Sequence, residues 1–343
     1  QDLSSGTTFN LVGKSFAGTP FNGELGKHQC VRIMTGAQIP DGADAVVMQE
    51  NTVANNNEIT VTHSVKLGEA IRIAGSDIAK KSIVLSKGKR LNAIDIGLLA
   101  SIGISNVPVL RKLKVALFST GDELLQPGDT PQQGKIFDSN RPMLRAMLRR
   151  LGAEVLDLGV IEDDPDKIRD AFIQADANAD CVITSGGVSV GEADYTREIL
   201  EEIGQVDFWK LAIKPGKPLA FGRLDNSLFF GLPGNPVSAA VTFDQIAAPS
   251  LSLLAGCTPE GKIAVKAIAK NKFKKKPGRT DYQRAVCYRD DNGQLIVDSG
   301  GSQSSGVLSC FTTSNCYAVL ENSRGMVEPG EPVNVQWFDA VLR

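Results

Sequence analysis

The chain has 343 residues, 42% of them hydrophobic and 22% charged, which is enough for roughly two or three domains with sizeable cores. Its 37 lysines and arginines nearly balance 39 aspartates and glutamates, so the net charge of −2 points neither to a nucleic acid nor to a membrane surface as a partner. No apolar stretch approaches the roughly 20 residues that a membrane-spanning helix needs.

The first 75 residues are predicted to form a β-rich domain, because short β-branched runs occur there without a helical period. Two strands are predicted at residues 45–48 and 59–62, with an asparagine-rich turn at 55–57 between them. Residues 76–112 form a linking segment, in which residues 93–100 are expected to make one short helix.

From residue 113 to 257, strands alternate with helices, which predicts a three-layer α/β domain with a mostly parallel sheet. The predicted strands are 115–120, 155–161, 181–184 and 228–231, and the predicted helices are 140–151, 165–175, 195–203 and 236–254. Asn140 and Asp164 are expected to be N-caps, each followed closely by a proline whose missing N–H costs little there. Gly152 suits a C-terminal cap, and Pro249 is expected to kink the last helix.

Residues 258–343 return to a β-rich pattern and predict a small β barrel. The Asp-Asp-Asn-Gly sequence at 290–293 is a strong hairpin turn between two apolar runs at 285–288 and 295–297. Two further strands are predicted at the C-terminal end, at residues 317–320 and 333–337.

Three glycine-containing loops, each following an apolar run, are the first candidates for chemistry: residues 119–123, 185–195 and 231–238. Because glycine lacks a Cβ, the backbone can turn sharply and present N–H groups to a phosphate or another oxyanion. Such loops lie at the carboxyl ends of parallel strands, where ligands bind.

Loop carboxylates are ligands that suit Mg²⁺, and those of this chain are Asp77, Asp122, Glu123, Asp163, Asp164, Glu192 and Asp194. Taken singly each could be structural, and Asp164 fits an N-cap best.

A lysine-rich segment at 209–218 is the second candidate. Lys217 lies on a stiff Pro-Gly-Lys-Pro turn, and Lys210 and Lys214 are expected to share one face of the segment. Cations held in this way suit a phosphate or a tetrahedral oxyanion. A solvated surface is the alternative, but flanking Trp209 and Leu219 favour partial burial. The helix start at 234–238 is a further anion site, with Ser238 as an added donor.

Two other sets of residues are expected to have no part in the chemistry. The six cysteines form no C-x-x-C pair and only two histidines are present, which disfavours structural zinc and suits free thiols in a reducing cytoplasm. The basic run at 270–279 could touch RNA or a phosphate tail, but it lacks an aromatic stacking platform. A solvated loop is the preferred interpretation of that run.

Together these motifs resemble one family, the MoeA-type molybdopterin molybdenumtransferases, which are related to the C-terminal domain of gephyrin. The matching segments are residues 32–37 (RIMTGA), 42–47 (GADAVV), 119–124 (STGDEL), 185–195, 214–218 (KPGKP) and 232–238 (LPGNPVS). The resemblance covers nearly the whole chain. Several ordered motifs at matching spacing make it more specific than any single glycine loop.

The resemblance implies that adenylylated molybdopterin and molybdate are the substrates, that AMP is released, and that Mg²⁺ is required. It carries catalytic positions onto Thr35, Asp77, Glu123, Asp163, Asp194, Pro233 and Pro236. The implied substrate- and anion-binding positions are Gly186, Gly187, Ser189, Lys210, Lys214, Lys217, Ser238 and Arg284. We expect Glu123 and Asp194 to hold Mg²⁺ against the pyrophosphate. Lys217 and Ser238 are then expected to face molybdate.

The resemblance also implies a molybdopterin-binding type for the central α/β domain, between an N-terminal β-rich domain and a C-terminal β barrel. The implied setting is a cytoplasmic homodimer with the site shared between subunits. A transient contact with the molybdopterin adenylyltransferase is expected, and neither a nucleic acid nor a membrane is.

Two departures from the family pattern are visible. The family's S-A-M-D-G-Y-A motif is missing, so the resemblance implies an N-terminally truncated chain. Residues 75–78 read G-S-D-I where the family usually has G-E-D-I, which keeps Asp77 and alters a supporting contact. A gephyrin-like anchoring scaffold and another nucleotide phosphotransferase are the alternative functions. The presence of Glu123, Asp194 and Lys217 favours an enzyme over a scaffold.

Overall fold

The computed structural model describes residues 3–186, 195–258 and 261–342, and the chain divides into two compact units. The first unit ends at Ser86 and the second begins at Lys87, so the division falls inside the predicted linking segment. The second unit holds both the α/β domain and the barrel.

The first unit is built around a four-stranded sheet, as the β-rich pattern predicts. Its strands are β1 (Thr8–Ser15), β2 (Gln29–Ile33), β3 (Thr52–Asn55) and β4 (Glu58–Val61), in the order β2-β1-β4-β3. The strand predicted at 45–48 is wrong, because the two-residue turn at 56–57 pairs Asn55 directly with Glu58 and so selects β3 as the partner of β4. Asn56 takes the left-handed conformation that this turn requires, with φ of 56°.

Helix α1 (Ala93–Ser101), at the start of the second unit, confirms the predicted short helix. The Asn92 side chain accepts hydrogen bonds from the backbone N–H groups of Ile94 and Asp95, and Asp95 accepts one from the Asn92 N–H. This reciprocal capping box satisfies the open donors of the first turn. The Lys89 ammonium also donates a hydrogen bond to the Asp95 carboxylate, at 2.5 Å. This hydrogen bond and the one from the Asn92 N–H keep the pKa of Asp95 below its ordinary value.

The α/β domain has the alternation of strands and helices that the sequence predicts. Its elements are β5 (Lys114–Thr120), β6 (Leu124–Leu125), β7 (Ile136–Phe137), α2 (Asn140–Leu151), β8 (Glu154–Ile161), α3 (Pro165–Asn178), β9 (Cys181–Ser185), α4 (Tyr195–Ile203), β10 (Gly204–Lys210), β11 (Ile213–Lys214), β12 (Pro218–Leu224), β13 (Leu228–Leu232), α5 (Pro236–Thr242) and α6 (Ala248–Leu254). The main sheet has the order β10-β12-β13-β9-β5-β8, in which the last four strands are parallel to one another. The prediction of a mostly parallel sheet is therefore confirmed.

Two apolar cores separate the three layers of this domain. Val115 and Leu117 of β5 face α2, α6 and the turn before α6 (residues 243–247), whereas Ala116 and Phe118 face α3 and α4. This alternation follows from the period of two in a strand. On the second face, Phe172 of α3 packs edge-on against Phe118, with ring centroids 5.0 Å apart.

The helix ends match the predicted caps in two places out of three. Asp164 accepts hydrogen bonds from two N–H groups in the first turn of α3, and Gly152 ends α2 with φ of 89°. Asn140, however, is the first residue of α2 rather than its N-cap. The Asp138 side chain instead accepts the hydrogen bond from the Arg141 N–H. The Asn140 side chain makes its hydrogen bonds with other elements of the domain.

A π-helical turn at Phe243–Ala247 joins α5 to α6. It precedes Pro249, whose ring cannot sit under a regular i−4 carbonyl, so the irregularity falls one turn before the predicted kink. The run Pro236–Leu254 is long and apolar enough to cross a membrane, yet 61% of it is buried in this domain, as in the core helix of a folded protein.

Ion pairs fix the start of α2 against β8. Arg141 donates from Nε to Asp138 and from Nη1 to Asp157, at 3.1 and 2.8 Å, and Arg145 donates to Asp157 at 2.9 Å. The side chains of Arg141 and Asp138 are 9% and 2% exposed. Burial raises the pKa of Asp157, but hydrogen bonds from Arg141 and the Gly159 N–H outweigh it and leave that pKa below its ordinary value.

The C-terminal domain is a closed barrel of five strands, as predicted. The strands are β14 (Ala264–Ala269), β15 (Thr280–Arg289), β16 (Leu295–Asp298), β17 (Cys316–Leu320) and β18 (Pro332–Trp337). Neighbours pair in the order β15-β16-β14-β18-β17, and β17 closes the ring by pairing with β15. The predicted turn at 290–293 joins β15 to β16. Strand β11, from the α/β segment of the sequence, also pairs with β15.

Candidate functional site

The loops that follow the parallel strands meet at one edge of the α/β sheet. They begin after β5, β8, β9 and β13, at residues 121, 162, 186 and 233. Because parallel strands end at the same edge, the carboxyl ends of these four form one continuous face. Glu123, Asp163, Gly186 and Pro233 therefore share this face within the second unit.

The first two loops are tied together by their aspartates. The Asp122 N–H donates to Asp163 Oδ2 at 3.3 Å, and the Asp163 N–H donates to Asp122 Oδ1 at 3.1 Å. Glu123 lies next to this exchange and is exposed. A Cβ on Gly121 would lie 2.4 Å from Glu123 Oε2, so the glycine lets this carboxylate fold over the end of β5. Two predicted catalytic carboxylates thus lie on adjacent, cross-linked loops.

Gly186 turns the chain at the end of β9 with φ of 95°. Its N–H donates to the Leu232 carbonyl at 3.2 Å, and a Cβ there would lie 3.0 Å from the Thr120 carbonyl oxygen. The backbone therefore passes tightly between the ends of β5 and β13, which only glycine permits at this φ. Gly187, Ser189 and Asp194, which were also predicted for this loop, lie outside the described residues.

Asn140 is a member of this site that the sequence reasoning missed. Its Nδ2 donates to Ser185 Oγ and to the Gly234 carbonyl, both at 2.7 Å, so one side chain joins the loops after β9 and β13. Asn140 is 7% exposed, and its Oδ1 has no hydrogen-bond partner within the described ranges. Its position at a helix start suggested only a cap, and nothing local in the sequence indicated the two partners.

The lysine loop (residues 210–217) packs against the side of α5, between Ser238 and Thr242, the last residue of this helix. A Cβ on Gly216 would lie 2.3 Å from Thr242 Oγ1, so the loop backbone packs directly on this helix. Pro236 is the first residue of α5, and Pro233 before it is buried. Ser238, in the first turn, is 5% exposed, and its predicted contact with molybdate stays a prediction.

The three predicted lysines of this loop are all exposed: Lys210, Lys214 and Lys217. Lys214 Nζ lies 3.3 Å from Asp281 Oδ2 of the barrel. The loop closes on itself through the Leu211 N–H, which donates to the Lys217 carbonyl at 2.7 Å. Partial burial, expected from the flanking residues, applies to Leu219, which is 5% exposed, and does not apply to Trp209, which is 53% exposed.

Arg284, the remaining predicted anion-binding residue, lies in β15 and is 1% exposed. Its Nη1 donates to the Tyr282 carbonyl at 2.9 Å, while Nη2 has no partner in the part of the chain that the structure describes. Gln303 holds the Arg284 backbone from both sides, at 2.9 and 2.8 Å. The loop that carries Gln303 also reaches α5, because the Val237 N–H donates to the Ser305 carbonyl at 3.0 Å.

Thr35 and Asp77, the remaining predicted catalytic residues, belong to the first unit. Thr35 follows β2 in a turn, Asp77 lies in a bend, and both are exposed.

The described residues offer at most small sets of carboxylates for binding a metal ion. Among the described residues no group of three or more His, Cys, Asp and Glu side chains could hold a metal ion. The six cysteines likewise form no disulfide there. A magnesium ion needs only one or two carboxylates when phosphate supplies further oxygens, so exposed Glu123 fits such a site.

Three lysines of the barrel's basic run have partners within the barrel. Lys270 pairs with Asp298 at 3.1 Å and Lys272 with Glu328 at 2.7 Å. Lys275 is 7% exposed and donates to three backbone carbonyls, and burial lowers its pKa. The preferred interpretation, a solvated loop, fits the exposed Lys274, Lys276 and Arg279, but it is wrong for Lys275, which is buried because its ammonium group binds backbone carbonyls.

The fold and the loop edge define an α/β domain of the molybdopterin-binding type, joined to a β barrel. Residues 116–252 match the probable molybdopterin binding domain, residues 2–103 the MoeA N-terminal region (domain I and II) and residues 266–338 the MoeA C-terminal region (domain IV). The chain belongs to the molybdopterin molybdenumtransferase family. The predicted family and enzyme class, a transferase, are thereby confirmed.

Relatives of this family match along the chain. A molybdopterin molybdenumtransferase of Haemophilus influenzae is 48% identical over 344 residues, which cover 100% of this chain and 85% of the relative. One from Staphylococcus aureus is 34% identical over 95% of this chain and 78% of its own length. The crystal structure of a molybdopterin biosynthesis moeA protein from Pyrococcus horikoshii superposes with a TM-score of 0.80 at 28% identity, covering 96% of this chain and 81% of that one.

Proposed function

We propose that this chain inserts molybdate into adenylylated molybdopterin and releases AMP in a Mg²⁺-dependent reaction. The observation that carries the proposal is the packing of the lysine loop against α5, beside the strand that bears Arg284. Three exposed lysines held on one loop suit a doubly charged oxyanion. Family membership over the whole chain supports molybdate as that oxyanion.

The carboxylate loops serve the nucleotide end of the same substrate. We propose that Glu123, with Asp194, holds Mg²⁺ at the phosphoanhydride, and that Asp163 orients this loop through its hydrogen bonds with Asp122. When bound, the ion supplies neutralisation of the phosphate charge. The lysines then need to bind and orient only molybdate. Gly186 lets the backbone pass tightly between the ends of β5 and β13, which helps to exclude water there.

The test is AMP release from adenylylated molybdopterin, measured with and without molybdate and Mg²⁺. Glu123→Gln is expected to lower the Mg²⁺-dependent rate by about a hundredfold, because it removes an anionic ligand at the leaving group. Glu162→Gln is the matched control, since Glu162 is an exposed neighbour that pairs with Lys167. Asp194→Asn is expected to behave like Glu123→Gln.

Two outcomes would contradict the proposal. Full Mg²⁺-dependent release by Glu123→Gln and Asp194→Asn would remove the metal assignment. Release that is equally fast without molybdate, with no molybdenum cofactor formed, would favour a different nucleotide phosphotransferase. The assay therefore separates these two functions directly.

We further propose a cytoplasmic homodimer that meets the molybdopterin adenylyltransferase transiently and binds neither a nucleic acid nor a membrane. The ion pairs of Lys270 with Asp298 and of Lys272 with Glu328 reduce the positive charge that a nucleic acid would meet there, which supports this expectation. Sedimentation of the purified chain, alone and with the adenylyltransferase, tests the two protein contacts. A monomer at every concentration would overturn the dimer.

A further inference from the structure

Asp281, in β15, is a buried carboxylate beside the lysine loop. Its side chain is 4% exposed, whereas the Lys214 side chain is 46% exposed. Lys214 Nζ lies 3.3 Å from Asp281 Oδ2, and the two residues are also backbone register partners where β11 pairs with β15. The carboxylate is too deep to meet an anion from solvent, but it holds the ammonium group that can.

The barrel fixes this carboxylate from the other side. Gln283 Nε2 donates to Asp281 Oδ2 at 3.0 Å and to the Lys274 carbonyl at 2.9 Å. Gln283 is itself 3% exposed. The buried ammonium of Lys275 lies close enough to interact with the charge of Asp281, so the carboxylate faces two cations. The position of the Asp281 carboxylate is therefore fixed by contacts within the barrel.

We infer that Asp281 is a positioning residue, which aims Lys214 at the substrate oxyanion. A lysine ammonium has three N–H donors, and Asp281 engages one of them, so two remain for an incoming anion. A half-exposed lysine side chain would otherwise sample many rotamers, and ordering it would oppose anion binding. The inference rests on the proposed function, in which Lys214 contacts molybdate.

Two effects of Asp281 on molybdate affinity have opposite signs. Its negative charge repels an anion, so removing the charge alone would tighten binding. Its hold on Lys214 restricts the lysine, so losing that hold would weaken binding. Because Lys275 and Lys214 already offset the charge of Asp281, we expect the loss of positioning to dominate.

The test is a double-mutant cycle between Asp281→Asn and Lys214→Met on the full chain. Molybdate affinity is measured by titration calorimetry, and KM and kcat are measured for AMP release. Asp281→Asn is expected to raise Kd and KM for molybdate about fivefold with kcat nearly unchanged. In the Lys214→Met background the same change is expected to have no further effect, because Asp281 acts through Lys214. In a Lys217→Met background its effect is expected to persist.

Each outcome decides one assignment. The positioning role is overturned, with the proposed function intact, if Lys214→Met weakens molybdate binding but Asp281→Asn leaves it unchanged or makes it tighter. It is also overturned if the losses of molybdate affinity from the two substitutions multiply in the double variant. Wild-type molybdate affinity of Lys214→Met would overturn the proposed function of the lysine loop itself. If Asp281→Asn fails to fold, Gln283→Met keeps the carboxylate and loosens it. We then expect about a twofold loss of affinity that disappears in the Lys214→Met background.

Discussion

Replacing Arg141 by methionine is expected to destabilise the second unit far more than replacing its neighbour Arg145. Methionine keeps much of the volume and the unbranched shape of the arginine stem. It removes the donors to Asp138 and Asp157, which lie at 3.1 and 2.8 Å. Asp138 then remains as a carboxylate with a side chain only 2% exposed and one backbone N–H as its partner.

The size of the effect follows from burial. Removing one partner of a buried ion pair leaves an uncompensated charge and costs about 3–5 kcal/mol. The Arg145 side chain is 40% exposed and pairs with Asp157, so Arg145→Met is expected to cost about 0.5–1 kcal/mol. For a unit of this size, the larger loss corresponds to a decrease in Tm of roughly 10 °C.

Both variants are compared with the wild type by calorimetry and by urea unfolding across a range of pH. The pKa of Asp157 is lowered in the folded chain, so its ion pair stabilises the fold above the ordinary carboxylate range and loses that contribution as the pH falls through the lowered pKa. The stability gap between wild type and Arg141→Met should therefore narrow below about pH 4. Equal losses for the two variants, or a gap that widens in acid, would refute this account of the network.

Three further substitutions test other contacts of the second unit. Asn140→Ala removes both hydrogen bonds between the loops after β9 and β13, and it is expected to raise KM for adenylylated molybdopterin about tenfold. Steady-state AMP release with an unchanged KM would contradict its positioning role. Tyr317→Phe deletes a buried hydroxyl that lacks a partner across residues 3–186, 195–258 and 261–342, and is expected to leave stability unchanged or raise it by about 1 kcal/mol. A clear loss in urea unfolding would reveal a hydrogen bond of that hydroxyl. Lys275→Met removes a donor from three carbonyls, of which that of Asn322 keeps the Gly278 N–H, and is expected to cost about 2 kcal/mol, whereas exposed Lys274→Met should cost under about 0.5 kcal/mol. Equal costs in thermal unfolding would show that the carbonyl contacts contribute nothing.

The elements that local patterns specify were predictable from the sequence. Asp164 followed by proline encodes the start of α3, because both the cap and the fixed φ act within one turn. Strand β5 could be recognised because its apolar run is buried on both faces. The turn at 290–293 likewise carries its own conformational preference.

The contacts that complete the site could not be predicted in the same way. Asn140 looks like a cap, and its actual partners, Ser185 and Gly234, are 45 and 94 residues away. Asp281 meets Lys214 across 67 residues, through a strand pairing that no local periodicity encodes. The segment 45–48 has strand-like composition, yet a neighbouring turn gave the pairing to β3. Composition sets the tendency to form a strand, and tertiary partners decide the outcome.

The pairing of β11 with β15 has a consequence for biosynthesis. Lys214 leaves the ribosome well before Asp281 does, since translation proceeds from the N-terminus at roughly 5–20 residues per second. The main α/β sheet contains no strand of the barrel, so it can form on the nascent chain before β15 is available to pair with β11. A chain that ends before Thr280 would contain the main sheet but lack the strand that pairs with β11 beside Lys214. A protease could then distinguish it from the finished protein at that exposed segment.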